Sequence, residues 1–446
     1  MSKQRIQLSD HFTYSRLLRF VLPCIGTMLF TSIYGIVDGL CVSNFVGKTA
    51  FAAVNLIMPL PMLLGTIGFM LGTGGSAIVG ITLGEGDQKK ADRYFTLFLL
   101  AALISVSVLA VLGIVFLRPI AVLLGAKGEL LDYAVRYGRI LMVSLPTFAL
   151  QNMFQSFFVT AEKPHLGFWF TVGAGCTNMV LDVLMVGIWG WGVEGAAIAT
   201  FISQLVGGVL PVFYFIDRSN SSRLHLCKTS FYSKVLRDAC INGSSELMTN
   251  LSMSLVNILY NFQLLRLAGE NGVAAYGVIM YAAFLFVAVF VGYAVGSAPI
   301  VSFHYGARNH AEVHNLYRKS LRLIGGSSIA MLAAGEALAR PLGQIFVGYD
   351  EALLAMTVRA FRIYSFSFLL AGVAILGSSF FTALNDGLTS ALISFLRTLV
   401  FQIAAVLLLP LVLELDGIWL SIVFAETMAV LVTMVFLLAK RKKYGY

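Results

Sequence analysis

Twelve long apolar runs leave this chain one kind of surroundings in which to fold. They fall at about 20–43, 51–82, 94–117, 136–160, 166–188, 193–216, 239–265, 273–303, 319–339, 354–383, 388–413 and 417–439. Each can cross a hydrocarbon core of roughly 30 Å as a helix. Strands are excluded, because the runs are continuous rather than alternating and an open sheet edge is not tolerated in lipid. Composition agrees: of 446 residues, 58 % are hydrophobic and 12 % charged, with a mean hydropathy of +0.85. A soluble chain carries roughly twice that charged fraction. A soluble enzyme, a nucleic-acid-binding domain and a disordered chain are thereby excluded. An all-α polytopic membrane protein is predicted.

The basic residues orient the spans. Counting from an N-terminus on the cytoplasmic side, that side carries 21 Lys and Arg against 5 on the other. Such a bias predicts both termini in the cytoplasm and an even number of spans in a cell membrane. The run Lys440-Arg441-Lys442-Lys443 reads as an anchor at the lipid surface, not as a nucleic-acid patch. No cleavable signal peptide is expected. Cys24, Cys41, Cys176, Cys227 and Cys240 have no metal-ligand spacing and are expected to be free thiols. There is no Walker A sequence. Gly72-Thr73-Gly74-Gly75 lies inside an apolar run, where small residues allow close helix packing.

The two halves match when shifted by 222 or 223 positions. Arg118-Pro119 recurs as Arg340-Pro341, Arg136 and Arg139 as Arg359 and Arg362, and Phe157-Phe158 as Phe380-Phe381. Gly74 and Gly84 recur as Gly296 and Gly306. This six-plus-six duplication predicts lobes at 1–216 and 239–446, joined by a linker at 217–238. Six spans return the chain to the side it started from. The repeat is therefore parallel, with its axis along the membrane normal, an arrangement suited to alternating access around a central cleft.

Carboxylates deep in apolar runs narrow the function. They are Asp38, Asp182, Glu246, Glu336 and Glu426. Each costs about 3 kcal/mol at mid-bilayer unless it finds a partner, a proton or a water-filled cavity. On span 1, Thr31, Tyr34 and Asp38 share a face, with Tyr34 expected to line the substrate cleft, and Pro23 lets the helix bend. On span 5, Asn178 and Asp182 are four apart, and on span 6 so are Ala196 and Thr200. These groups offer an all-oxygen set that suits Na⁺, a hydrogen-bonded proton or a purely structural polar network. On span 7, Glu246, Asn250, Met253 and Asn257, followed by Tyr260, make a stripe predicted to line the cleft or a helix–helix seam. Glu246 offers charge to an organic cation, and Met253 and Tyr260 offer soft surface. Glu336 is expected to pair with Arg340 at i+4. Glu426, at the repeat position of Gln204, receives no role. Arg136, Arg139, Arg359 and Arg362 are expected to snorkel to the interface.

Taken together, the six-plus-six spans, Pro23 followed by Asp38 in YGIVDGL, the pair Asn178/Asp182 and GAAIAT ending in Thr200 resemble the multidrug and toxic compound extrusion (MATE) transporters of the MOP flippase superfamily. The resemblance covers essentially the whole chain. It implies two lobes around a V-shaped cleft and export of drugs or organic cations by antiport with Na⁺ or H⁺, without an enzyme's chemistry or a cofactor. It also implies a coupling site at Asp38, Asn178, Asp182, Thr200 and the Ala196 carbonyl, which would hold Na⁺ where that ion is used. Glu246 matches the span-7 acid of several branches. Some branches carry a carboxylate on span 10; residues 352–385 contain none, so coupling is expected to rest on the first lobe. A monomer is expected. The alternative function is a flippase for a lipid-linked oligosaccharide, against which the paired acids argue.

Overall fold

The structure, a computed structural model, describes residues 6–46 and 48–446, without the side chains of 36, 38–46, 48 and 51. The side chains of Asp38 and Cys41 thus lie outside what is described. Among the described residues there is no strand, and ten helices are long and apolar enough to cross a membrane. One of them, Ser233–Gly306, runs for 74 residues. At about 1.5 Å per residue it is far too long for one span. It breaks at Gly269, whose φ of 63° and ψ of −152° only glycine adopts readily. A further helix, Gly128–Thr160, is less apolar because its buried face carries Ser144, Gln151, Asn152 and Ser156. Counting both gives twelve spans.

We number them α1 to α12. The first half comprises α1 (Tyr14–Val46), α2 (Pro59–Gly84, preceded by the short helix Lys48–Ile57), α3 (Gln88–Leu123), α4 (Gly128–Thr160), α5 (Pro164–Asp182) and α6 (Gly192–Gly208, then Leu210–Ile216). The second half comprises α7 and α8 (the two parts of Ser233–Gly306), α9 (His310–Val347), α10 (Glu351–Ala383), α11 (Gly387–Phe395 to Phe401–Leu408) and α12 (Pro410–Tyr444). The helix of α7 begins at Ser233, ahead of its apolar run, because helical hydrogen bonding continues into the polar residues below it. A π turn follows α5 at Val183–Ile188, and another interrupts α11 at Leu396–Val400.

The halves meet through glycines. Gly84 and Gly306 end α2 and α8, both on the side of the chain termini. A Cβ on Gly84 would overlap the Phe303 carbonyl oxygen, and one on Gly306 would overlap that of Ile81. Ile81 and Phe303 are themselves repeat positions, so the contact is reciprocal, as a two-fold axis along the bundle requires. Deeper in, Gly74 packs on Ala239 and Gly243 of α7, and Gly296 packs on Val21 and Cys24 of α1. Without side chains the backbones close to contact and leave no gap at this end.

A strap covers the seam. Leu8 and Phe12 are fully buried. The Leu8 N–H donates to Glu162 Oε1 (2.9 Å), at the end of α4, and the Phe12 N–H donates to Glu312 Oε1 (2.9 Å), in the first turn of α9. Arg223, from the segment linking the halves, pairs with Glu162 (2.6 Å) and lies over the Phe303 ring. The strap and the linker therefore tie the first half to the second. At the other terminus, Lys440 Nζ (2.6 Å) and Tyr444 Oη (2.7 Å) donate to Asp386 between α10 and α11. Desolvation raises the Asp386 pKa, but these donors, with Thr389, outweigh it and hold the carboxyl below its ordinary range.

Cys24, Cys176, Cys227 and Cys240 are free thiols. Other expectations need correcting. Glu336 pairs not with Arg340 but with Arg362 across the helix interface (3.7 Å), and accepts a hydrogen bond from Ser365 (2.8 Å). Gly335 allows this, because its missing side chain lets Ser365 of α10 sit close. Nor do the arginines only snorkel. Arg136 pairs with Glu194 (3.7 Å) and Arg359 with Asp416 (2.5 Å), and these are repeat-equivalent pairs.

Candidate functional site: a central cavity and two buried acids

Where the glycine seam ends, a cavity begins. It measures about 390 Å³ and lies between the halves. The first half contributes Met28, Thr31 and Ser32 of α1, Thr73 and Ser76 of α2, and Ser156 of α4. The second half contributes most of the wall, including Glu246, Met253, Asn257 and Tyr260 of α7, Tyr276 and Phe284 of α8, and Tyr364 of α10. The predicted α7 stripe thus lines the cavity with one exception. Asn250 turns its amide back onto the Glu246 carbonyl (2.9 Å) and is not part of the wall. Glu246 makes no ion pair among the described residues, and it lines this largely apolar cavity. Tyr260 and Tyr276 stack, with ring centroids 5.0 Å apart and 6° between planes. The Tyr276 hydroxyl donates to Asn257 Oδ1 (2.8 Å). Such a wall sets the Glu246 carboxyl beside aromatic faces and thioethers, which suits a flat organic cation.

The predicted coupling residues lie elsewhere, behind α1. Asn178 is 2 % exposed, Asp182 fully buried and Ala196 1 % exposed. Gly175, one turn before Asn178 on the same face, packs against Phe30 and Tyr34 of α1. That face of α5 is therefore turned towards α1. Tyr34 belongs to this contact and does not line the cavity. The Thr200 hydroxyl donates to the Ala196 carbonyl (3.0 Å), so these two meet on α6 as their spacing requires. Among the described residues, Asn178 Nδ2 is buried with no hydrogen-bond partner, as are Gln155 Oε1 and Gln204 Oε1 on the flanking spans. Asp182 sits where the π turn of α5 begins; such bulges are frequent at functional positions. A carboxylate, an amide, a hydroxyl and a carbonyl are the oxygen donors a hard cation takes. Asp38, the remaining member, lies outside the described side chains. Pro23 lies within an unbroken α1, where its carbonyl accepts the Thr27 hydroxyl (2.9 Å).

One element was missed from sequence. Arg397, inside the apolar run of α11, reaches Glu426 of α12. Its Nε lies 3.0 and 2.9 Å from the two carboxylate oxygens, and its Nη2 lies 2.8 Å from Oε1. Both residues line the cavity. The signal was present, since Arg397 is a basic residue in mid-span, but attention to carboxylates alone passes over it.

The comparisons with known proteins agree with this geometry. The MatE family profile matches residues 23–184 and 247–408, one block in each half. The multidrug export protein MepA of Staphylococcus saprophyticus is 22 % identical over 433 residues, covering 96 % of this chain and 94 % of that protein. MepA of Staphylococcus aureus strain MRSA252 is 22 % identical over 432 residues, with the same coverage. Among solved structures, a MATE protein in complex with MaL6 superposes with a TM-score of 0.93 at 23 % identity over 99 % of both chains. The outward-facing conformation of a multidrug resistance MATE transporter gives 0.93 at 22 % identity, covering 100 % of this chain and 99 % of that one. The chain belongs to the MatE family, and it is a multi-pass membrane transporter rather than an enzyme.

Proposed function

We propose that this protein exports amphiphilic organic cations from the cytoplasm in exchange for an entering Na⁺ or H⁺, as a monomer in the cell membrane with both termini inside. One observation carries the reading: a cavity between the halves holds Glu246 beside Met253 and the Tyr260–Tyr276 stack. The multidrug export proteins named above support the substrate class. The closed glycine seam and its strap lie at the end with the termini, so the cytoplasmic face is the shut one. Cation entry from outside then neutralises Asp182 and Asp38, with Asn178, Thr200 and the Ala196 carbonyl as further oxygen donors, and α1 bends near Pro23. The change reshapes the cavity wall that α1 contributes through Met28, Thr31 and Ser32, and the bound drug leaves outward. Linkage makes the effect mutual: the drug weakens the cation by the same factor. A potential of 100 mV adds about 2.3 kcal/mol per charge moved.

The flippase reading finds less support. The charged groups of the cavity wall are Glu246, Glu426 and Arg397, and a pyrophosphate lipid would meet more negative than positive charge there. Transport of ethidium into inside-out vesicles, under imposed Na⁺ or proton gradients, tests the proposal. Accumulation that follows one gradient and vanishes when it is collapsed is expected. Accumulation indifferent to both gradients would refute exchange.

A further inference from the structure

We infer that Arg397 is a tethered counter-ion that withdraws Glu426 from cation exchange, so that the second half contributes no coupling site of its own. The inference deepens the exchange reading above and rests on it. Glu426 is otherwise what a coupling acid looks like: it is 2 % exposed, in mid-span, and on the wall of the cavity. Its two oxygens, however, are both taken by one guanidinium, at 2.8 to 3.0 Å. A guanidinium does not lose its proton, and a side chain cannot diffuse away. Na⁺ arriving at Glu426 would have to displace a cation bound to the protein, and a proton there would leave the half-buried Arg397 without its counter-ion. Tyr260 from α7, Tyr276 from α8 and Tyr364 from α10 line the same space, and among the described residues the one other charged group on that wall is Glu246 of α7, itself an acid that offers Glu426 no counter-charge. Backbone geometry supports a purpose-built placement. Arg397 sits inside the π turn Leu396–Val400, where the extra residue re-aims the helix face. The repeat position of Glu426 in the first half is Gln204, so the acid and its arginine belong to the second half alone.

The test counts cations exchanged per substrate in proteoliposomes, by finding the gradient at which net ethidium flux stops. The wild type and the R397Q/E426Q double variant should give the same count. R397Q alone should gain a second exchanged cation, because Glu426 is released, and R397K should return to the wild-type count. The rescue by lysine separates counter-ion action from mere packing. Should R397Q fail to fold, the double variant decides alone. A double variant that exchanges fewer cations than a coupled wild type overturns this inference and leaves the exchange reading standing. A wild type with no cation dependence overturns both.

Discussion

The two halves of the molecule repeat one another in their packing contacts and differ in their buried chemistry. Their likeness is detailed. Gly84 meets Phe303 as Gly306 meets Ile81. Arg136 pairs with Glu194 as Arg359 pairs with Asp416. These matched features are interfaces and surface ion pairs, which hold the bundle in shape. The buried acids are not matched. The first half keeps Asp182 on α5, turned towards α1; the second keeps Glu426 on α12, bound to Arg397. The duplication thus keeps what symmetric packing needs, while the buried charged groups differ between the halves. On the proposed exchange mechanism both halves must fit at the seam, whereas a single cation site would suffice to drive it.

Four experiments would break or sharpen that contrast. The largest effect is expected for Asp182→Asn. Losing the proposed coupling acid should lower gradient-driven ethidium efflux by up to about 150-fold, the upper range of a coupling factor. Efflux at wild-type rate would remove the first half's special standing. Next come Gly84→Leu and Gly306→Leu, which place a side chain into a carbonyl across the seam. Each should destabilise the closed seam at the end with the chain termini by about 1–3 kcal/mol, as overpacking does. Spin-label distances across that seam should lengthen equally in the two variants if the contact is truly reciprocal. Glu246→Gln ranks third. It should weaken ethidium binding about 10-fold, roughly 1.4 kcal/mol, and leave neutral substrates alone. Equal losses for charged and neutral substrates would reduce Glu246 to a structural group.

The smallest effect belongs to Asp386. Its carboxyl titrates below the ordinary value because Lys440, Tyr444 and Thr389 outweigh desolvation. Such a group stabilises the fold fully above the ordinary carboxylate range and loses that contribution as pH falls through the lowered value. Asp386→Asn should therefore lower the melting temperature at neutral pH by an amount equivalent to about 1 kcal/mol. The gap to the wild type should close in acid. A gap independent of pH would show that shape, not charge, anchors the C-terminal helix.

How legible was the site? The α7 stripe was read from spacing, and Glu246, Met253 and Asn257 do line the cavity. Periodicity could not foresee Asn250 folding back on its own helix, since a short amide has a backbone acceptor four residues away to compete for it. Tyr34 shares a face with Thr31 by count, yet the close approach at Gly175 draws its ring against α5. Glu336 had Arg340 at i+4 and took Arg362 instead, because Gly335 brings α10 within reach.

Twelve helical spans and their duplication followed from the amino-acid order by itself. An apolar run in lipid can satisfy its backbone only by coiling, so local composition is enough to decide it. Which polar groups meet is a different matter. Arg397 and Glu426 sit on separate helices, and Asp182 is turned towards α1 by the rotation of α5 about its own axis. Rotation and tilt in a membrane are set by side-chain fit between neighbours rather than by hydropathy, so only the packed tertiary structure could assign those partners.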